Sequence, residues 1–471
     1  MSLDVRESTE EQYDAGQERL KFIFLGAVYF FMIFGNSIIK DLKDVIFMNI
    51  VGRTYVPLAK ILSMFVLIPP IFLYAKIVDK LRRYQLIAFF GAFFGIVGII
   101  LAIFLGNPTI GLMNTNTNPY RLFGWLVYFV VEGYSPFLVS VFWAFTHSIT
   151  SPKGARNNYA FMVSASKVGG MLGAGGAWYM FSSYGSSTAF SLLADVRLHQ
   201  AVFVGASVVV LMVPIVVYAL MRNVSGRYLH GYEAAYKVEK EKGKQGKEET
   251  GIWAGLLMLL KYPYVLGIFG MIYFYELVNT VLGYLRLGEA QSQAANLAQQ
   301  SSFLLQSTFM MHVLGFIIAF FGTSTLMRRL GERTCLLLIP VISGMLLFVY
   351  MIDTTPMVLT FAWVILKAVN YAFAWPVRES LYIPTVKSIK FKSKAWIDAF
   401  GSKFAKAGAS TFNILMNFFE VTAMAMPIYS AFFATVVSLW VGVAYFLGHR
   451  YDKAVANNEV IGLESEGIAE K

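Results

Sequence analysis

Hydrophobic positions along this chain come in long runs broken by short polar stretches. Twelve runs approach the roughly 20 apolar residues that a helix needs to cross a bilayer. They lie near 22–39, 55–78, 84–106, 122–147, 158–182, 199–221, 263–286, 302–326, 334–352, 356–375, 398–424 and 427–448. Between the sixth and the seventh, Arg222 to Gly251 is hydrophilic and dense in Lys and Glu, as at Lys237-Val238-Glu239-Lys240-Glu241-Lys242. That predicts a solvated linker, 222–251, between six-span units at 1–221 and 252–454, with a polar tail at 455–471.

Composition agrees with a chain that lives in lipid. Of its 471 residues 57% are hydrophobic and 14% charged, where soluble domains carry about 25% charged; mean hydropathy is +0.59. The net charge of +11 is placed by the loops. Those after spans 2, 4, 6, 8 and 10 carry Lys80/Arg82/Arg83, Lys153/Arg156, the linker lysines, Arg328/Arg329/Arg333 and Arg378 to Lys394. The loops after spans 3, 7, 9 and 11 are nearly free of Lys and Arg. The positive-inside rule therefore predicts that both termini are cytoplasmic. Residues 1 to 20 are acidic and polar and the first run behaves as a span, so no cleaved signal peptide is expected. The fold class expected is all-α and polytopic, twelve transmembrane helices in two six-helix halves. That is the major facilitator arrangement, in which the substrate site lies between the halves near mid-bilayer.

Ionisable residues inside spans are rare and point by default to function. Glu132 lies in span 4, Lys167 in span 5, Glu276 in span 7 and Lys406 in span 11, while Lys367 in span 10 either snorkels to the interface or lines the path. Lys167 sits beside Gly169, Gly170, Gly173, Gly175 and Gly176, glycines that predict close helix packing. After span 1, Lys40-Asp41-Leu42-Lys43-Asp44 runs on into Val45-Ile46-Phe47-Met48, so these charges are embedded in apolar sequence, and Asn36, Lys40 and Lys43 share a helical face. In span 11, Lys406, Ser410, Asn413, Asn417 and Glu420 form one polar stripe, which predicts a face turned to a wet pathway. Converging lysines call for a strongly anionic substrate, and ammonium groups suit phosphate. Trp143, Tyr371 and Trp375 offer stacking faces for a base. A buried ion pair that only fixes packing is the competing explanation for Glu132 and Glu276.

The stretch Pro376-Val377-Arg378-Glu379-Ser380-Leu381-Tyr382-Ile383-Pro384 carries a resemblance. It is similar to the Pro-x-Lys-Glu-x-x-Tyr-Ile-Pro motif of the nucleotide transporter (ATP/ADP translocase) family of plastids and obligate intracellular bacteria. Lys394-Ala395, Asp398 and Ala405-Lys406-Ala407-Gly408 follow where that family has a lysine-rich loop and a Gly-Lys-Ser-Gly-Gly element. Leu42-Lys43-Asp44-Val45, Glu132 through Phe142-Trp143-Ala144-Phe145, and Glu276-Leu277-Val278 resemble its spans 1, 4 and 7. The resemblance implies nucleotide exchange with Lys43, Glu132, Glu276 and Lys406 as its important charges. Arg378 stands for the motif lysine, Asn370 for a frequent lysine, and Lys167 for a neutral amide, so base and phosphate number are left open.

The expectation is thus a transporter that exchanges nucleotides by alternating access across a bacterial cytoplasmic membrane. Its expected substrate-binding residues are Lys43, Glu132, Lys167, Glu276, Lys406, Arg378 and Asn413. A monomer in the lipid bilayer is expected. Two alternatives stand beside it: a proton-coupled importer of a nucleotide, NAD or another organic anion, and a non-transporting receptor on the same fold. No glycine-rich phosphate loop, metal-ligand cluster or nucleophile triad is visible in sequence, and five histidines are scattered. One cysteine, Cys335, leaves no internal disulfide. An enzyme, a cofactor, a metal and a nucleic-acid partner are therefore not expected.

Overall fold

The computed structural model describes residues 15–150, 152–185, 191–229, 257, 259–386, 389, 393–397, 401–419 and 422–462. The linker beyond Leu229, Lys387, Lys390, Lys392, Asp398, Glu420, the acidic start and the tail beyond Gly462 lie outside the described residues. What is described is helical, with one isolated bridge between Thr385 and Ile461.

The first half comprises α1 (Ala15–Ile50), α2 (Val56–Val66), α3 (Ile68–Lys80), α4 (Arg83–Leu105), α5 (Leu122–Glu132), α6 (Ser140–Ile149), α7 (Pro152–Gly185), α8 (Leu192–Val210), α9 (Met212–Asn223) and the single turn α10 (Gly226–Leu229). The second comprises α11 (Pro263–Gln293), α12 (Leu297–Ile317), α13 (Thr323–Ile352), α14 (Pro356–Val369), α15 (Trp375–Ser380), α16 (Lys394–Trp396), α17 (Ser402–Asn417) and α18 (Ala425–Ala456). Among the described residues nine helices are long and apolar enough to span a bilayer. The three other expected spans are helical for reasons that weaken the same signal. The second is broken at Leu67, because Pro69 and Pro70 supply no N–H to a continuous ladder. The fifth, α7, is long but rich in Gly and Ser around Lys167, and the eleventh is the 16-residue α17.

Among the described residues, π-helical turns of five residues interrupt spans at Ser135–Val139 between α5 and α6, at Ile318–Gly322 after α12, and at Asn370–Ala374 between α14 and α15. Such turns re-aim side chains and are frequent at functional sites. The glycines of α7 form a packing seam. A Cβ at Gly169 would collide with the Phe30 carbonyl of α1, and one at Gly173 would lie 2.6 Å from the Phe34 carbonyl. On another face of α7, Gly170 leaves room only for the His312 ring of α12, and Gly175 faces Phe309.

Core packing shows where the halves meet. One buried cluster draws on the first half, including Phe22, Met32, Phe142 and Val217; a second draws on the second half, including Val265, Leu336, Ala374 and Trp440. A third is shared: Ile46, Phe47 and Phe203 pack with Tyr284, Leu287, Ala298 and Leu305. It lies at the end of the bundle where α1 finishes at Ile50. The halves are thus joined there and keep separate cores toward the other end.

Candidate functional site

Between the halves lies a cavity of about 250 Å³, lined by α1, the Ser135–Val139 turn and α7 from one half and by α12, α14 and Tyr371 from the other. Lys40 and Lys167 enter it from the first half and Lys367 from the second. Among the described residues no carboxylate lies within 4 Å of any of these three ammonium groups. Lys167 is 5.1 Å from the Tyr371 ring centroid, and Lys367 is 5.7 Å from the same ring and 5.3 Å from Trp363. Asn36, Ser37, Ser166 and Tyr29 add hydrogen-bonding groups to the wall. His312 is buried in it, and its Nδ1 has no hydrogen-bond partner.

A second set of charges is paired. Lys43, 2% exposed, bonds Glu132 at 2.5 Å, lies 3.2 Å from Asp44 and sits 4.1 Å above the Tyr128 ring. Lys403 of the second half lies 3.9 Å from the other oxygen of Glu132. Glu276 accepts from Ser402 at 2.8 Å and Asn279 at 3.0 Å, with Lys406 at 3.8 Å. Lys60 of α2 is within electrostatic reach of Asp44, Lys43, Glu132 and Lys406. The sequence reading therefore named four charges that the structure arranges as two lysine–glutamate pairs. Of the remaining candidates, Lys167 lines the cavity. Arg378 donates to Asn370 at 2.9 Å. Asn413 is fully buried on α17 and its amide has no hydrogen-bond partner. Lys406, Ser410, Asn413 and Asn417 are not among the residues that line the cavity.

Sequence reasoning did not find the ion pair that joins the halves at this level. Asp41 of α1 accepts from Thr308 of α12 at 2.5 Å and lies 3.7 Å from Arg286 of α11. The Arg286 guanidinium also donates to the Leu304 carbonyl at 2.6 Å and to Ser307 at 3.2 Å, and packs 3.7 Å from the Trp363 ring centroid. Arg286 is the last residue of the predicted seventh span. The helix in fact continues to Gln293, which carries Arg286 two turns inside it.

Toward the Ile50 end the halves are stitched by neutral and polar contacts. Asn49 donates to Gln300 at 2.7 Å, Ala298 N to Asp195 at 3.2 Å, and Asn296 to the Gly185 carbonyl at 3.1 Å. Arg53 lies 4.9 Å from the Tyr284 ring centroid. His199 Nδ1 hydrogen-bonds the backbone carbonyl of Asp195 at 2.9 Å, with the Asp195 carboxylate 3.1 Å away, and its Nε2 pairs with the Ser301 hydroxyl at 2.8 Å. That order of groups resembles a nucleophile triad, but His199 and Ser301 are both 0% exposed. Buried in this way, the His199–Ser301 contact links α8 to α12.

The sequence pattern of the TLC ATP/ADP transporter family matches residues 15–451. The chain belongs to that family. Two curated relatives of this TLC-family member are both called ADP,ATP carrier protein 1. The one from Chlamydia pneumoniae is 24% identical over 225 residues, 43% of this chain and 44% of that protein. The one from Rickettsia bellii is 31% identical over 124 residues, 25% of this chain and 23% of that protein. The matched stretches thus span less than half the length of either relative. Solved structures show the fold over nearly the whole chain. A D-xylose–proton symporter aligns with a TM-score of 0.59 at 13% identity, over 91% of this chain and 96% of that one. A bacterial homologue of the iron transporter ferroportin, in an inward-facing state, gives 0.58 at 12% identity over 93% and 99%. The TLC-family chain is therefore a multi-pass membrane protein with the major facilitator fold.

Proposed function

We propose that this chain exchanges nucleotides across a bacterial cytoplasmic membrane by alternating access, as a monomer with both termini in the cytoplasm. The observation that carries this reading is the cavity between the halves, into which Lys40, Lys167 and Lys367 project; Asp41 lies on its wall, but among the described residues no carboxylate is within 4 Å of any of the three ammonium groups. Around it, eight cationic groups (Lys40, Lys43, Lys60, Lys167, Arg286, Lys367, Lys403 and Lys406) face four carboxylates (Asp41, Asp44, Glu132 and Glu276). With ordinary ionisation that leaves four positive charges. A nucleoside di- or triphosphate carries about three or four negative charges and neutralises most or all of them. Family membership and the names of the curated relatives agree with that substrate class.

The paired lysines supply a reason for exchange. In this state Lys43 and Lys406 are held by Glu132 and Glu276. Phosphate oxygens that displace a carboxylate keep each ammonium neutralised while the halves rearrange. An empty cavity keeps its unpaired lysines, and burying uncompensated charge in a low-dielectric interior is costly, so the loaded carrier reorients faster than the empty one. Liposome uptake of labelled nucleotide tests the assignment. Lys40→Gln and Lys406→Ala are each expected to reduce it at least tenfold, and uptake at the parent rate in both would overturn it.

One observation favours a second reading, proton-coupled import. Asp41 is a buried carboxylate that touches the cavity and joins both halves through Thr308 and Arg286. Uptake into empty vesicles driven by an imposed proton gradient, and lost in Asp41→Asn, would select it.

A further inference from the structure

The lysines of the central region fall into two kinds. Lys43, Lys403 and Lys406 each have a carboxylate within 4 Å. Among the described residues Lys167 and Lys367 have none, nor has Lys40 of the same cavity; what Lys167 and Lys367 share is one aromatic ring. Lys167 comes from α7 and Lys367 from α14, on opposite halves, and both ammonium groups lie within 6 Å of the Tyr371 centroid, at 5.1 and 5.7 Å. A ring face attracts each cation but carries no net charge, so it neutralises neither ammonium group.

Their positions are set by packing and not by a partner. One helical turn from Lys167, Gly170 is pressed against the His312 ring, and Gly169 and Gly173 hold the same helix against the α1 backbone. Tyr371 belongs to the π-helical turn Asn370–Ala374. His312, on the same cavity wall, leaves its buried Nδ1 without a partner. A rigid, under-neutralised cation pair beside an unsatisfied ring nitrogen is arranged for an anion that is not part of the protein.

We propose that Lys167 and Lys367 form an anion subsite of their own, distinct from the carboxylate-paired lysines, which holds one phosphoryl group of the cargo between the halves beside Tyr371. The identity of the cargo as a nucleotide rests on the function proposed above; the phosphoryl chemistry of the subsite does not. Ammonium groups bind phosphoryl oxygens as compact point charges. A group held by one lysine from each half also ties occupancy to the approach of the halves.

The test uses the purified full-length chain with pyrophosphate as the probe. Pyrophosphate is expected to raise the melting temperature of the parent, and Lys167→Gln and Lys367→Gln are each expected to weaken its apparent affinity about tenfold, the size of one lost charge-assisted contact. Lys167→Arg is expected to restore it. Without ligand, both glutamine variants are expected to melt at or above the parent temperature, because each removes an uncompensated charge from a low-dielectric interior; a lower temperature with an unchanged pyrophosphate response would mark a packing role and overturn the subsite. No pyrophosphate shift in the parent would overturn it too. Nucleotide exchange measured on the same variants separates the two claims. A Lys167-dependent pyrophosphate shift without nucleotide exchange keeps the subsite and removes the nucleotide. Nucleotide exchange with KM unchanged in both glutamine variants removes the subsite and keeps the nucleotide.

Discussion

Replacing Asp41 by Asn should loosen the junction between the halves by a measurable amount. The change keeps the side-chain shape and an acceptor for Thr308, and removes the charge that faces Arg286 at 3.7 Å. Breaking a buried ion pair by removing one partner typically costs about 3–5 kcal/mol. Here the separation exceeds hydrogen-bond length. Arg286 also keeps its bonds to Leu304 and Ser307 and its place on the Trp363 ring. A cost at or below the lower limit, about 2–3 kcal/mol, is therefore expected. If this acts on the state with the halves joined and not on the opened one, the ratio of the two shifts by roughly 30- to 150-fold. A reporter cysteine reads that ratio. Leu305→Cys places a thiol in the core shared by the halves, where Leu305 is 0% exposed, and the native Cys335 is itself buried. In detergent, maleimide labelling follows the open population when reclosing is faster than reaction, so its rate should rise by the same factor in Asp41→Asn. The cost of the reporter is common to both chains and cancels. An unchanged labelling rate in a folded Asp41→Asn protein would show that this pair does not hold the junction.

Three further outcomes follow from the same geometry. Glu276→Gln removes the charge that Lys406 faces at 3.8 Å and that Ser402 and Asn279 bond; nucleotide exchange should fall at least tenfold, and exchange at the parent rate would show the pair to be dispensable. Gly170→Ala drives a methyl group into the His312 ring, so a loss of about 1–3 kcal/mol is expected from overpacking. Gly176→Ala meets nothing within 4 Å and should be neutral or stabilising by up to about 1 kcal/mol; thermal unfolding of the two variants side by side checks the seam. Ser301→Ala removes the partner of His199 at 2.8 Å, at a cost of about 1–3 kcal/mol for the group left buried and unsatisfied, and should speed labelling of Leu305→Cys in the same assay; no change would show that this contact does not hold the halves.

Much of the fold was readable because lipid leaves a helix few options: long apolar runs became helices, and nine keep a spanning signature on their own. What blurred the others is physical. Pro69 and Pro70 break the second span at Leu67, and the glycines that let α7 touch the α1 backbone also lower its hydropathy. Charges inside runs were equally visible, so Lys43, Glu132, Lys167, Glu276 and Lys406 stood out from composition alone. Their partners did not, because pairing depends on where helices end. Arg286 ended the predicted seventh span, whereas α11 runs on to Gln293, and Lys403, inside the predicted eleventh span, reaches Glu132 of the other half. Helical periodicity put Asn36, Lys40 and Lys43 on one face, yet only the first two line the cavity. Lys43 turns instead to Glu132, a contact 89 residues away in sequence that no local pattern encodes.

Uptake into liposomes that contain the purified chain, loaded with ADP or left empty, decides whether this is a nucleotide exchanger. A panel of labelled nucleoside mono-, di- and triphosphates and NAD should include at least one that enters only preloaded vesicles, with entry lost in Lys406→Ala. Equal uptake into empty vesicles would contradict exchange, and no flux of any nucleotide would contradict the substrate class.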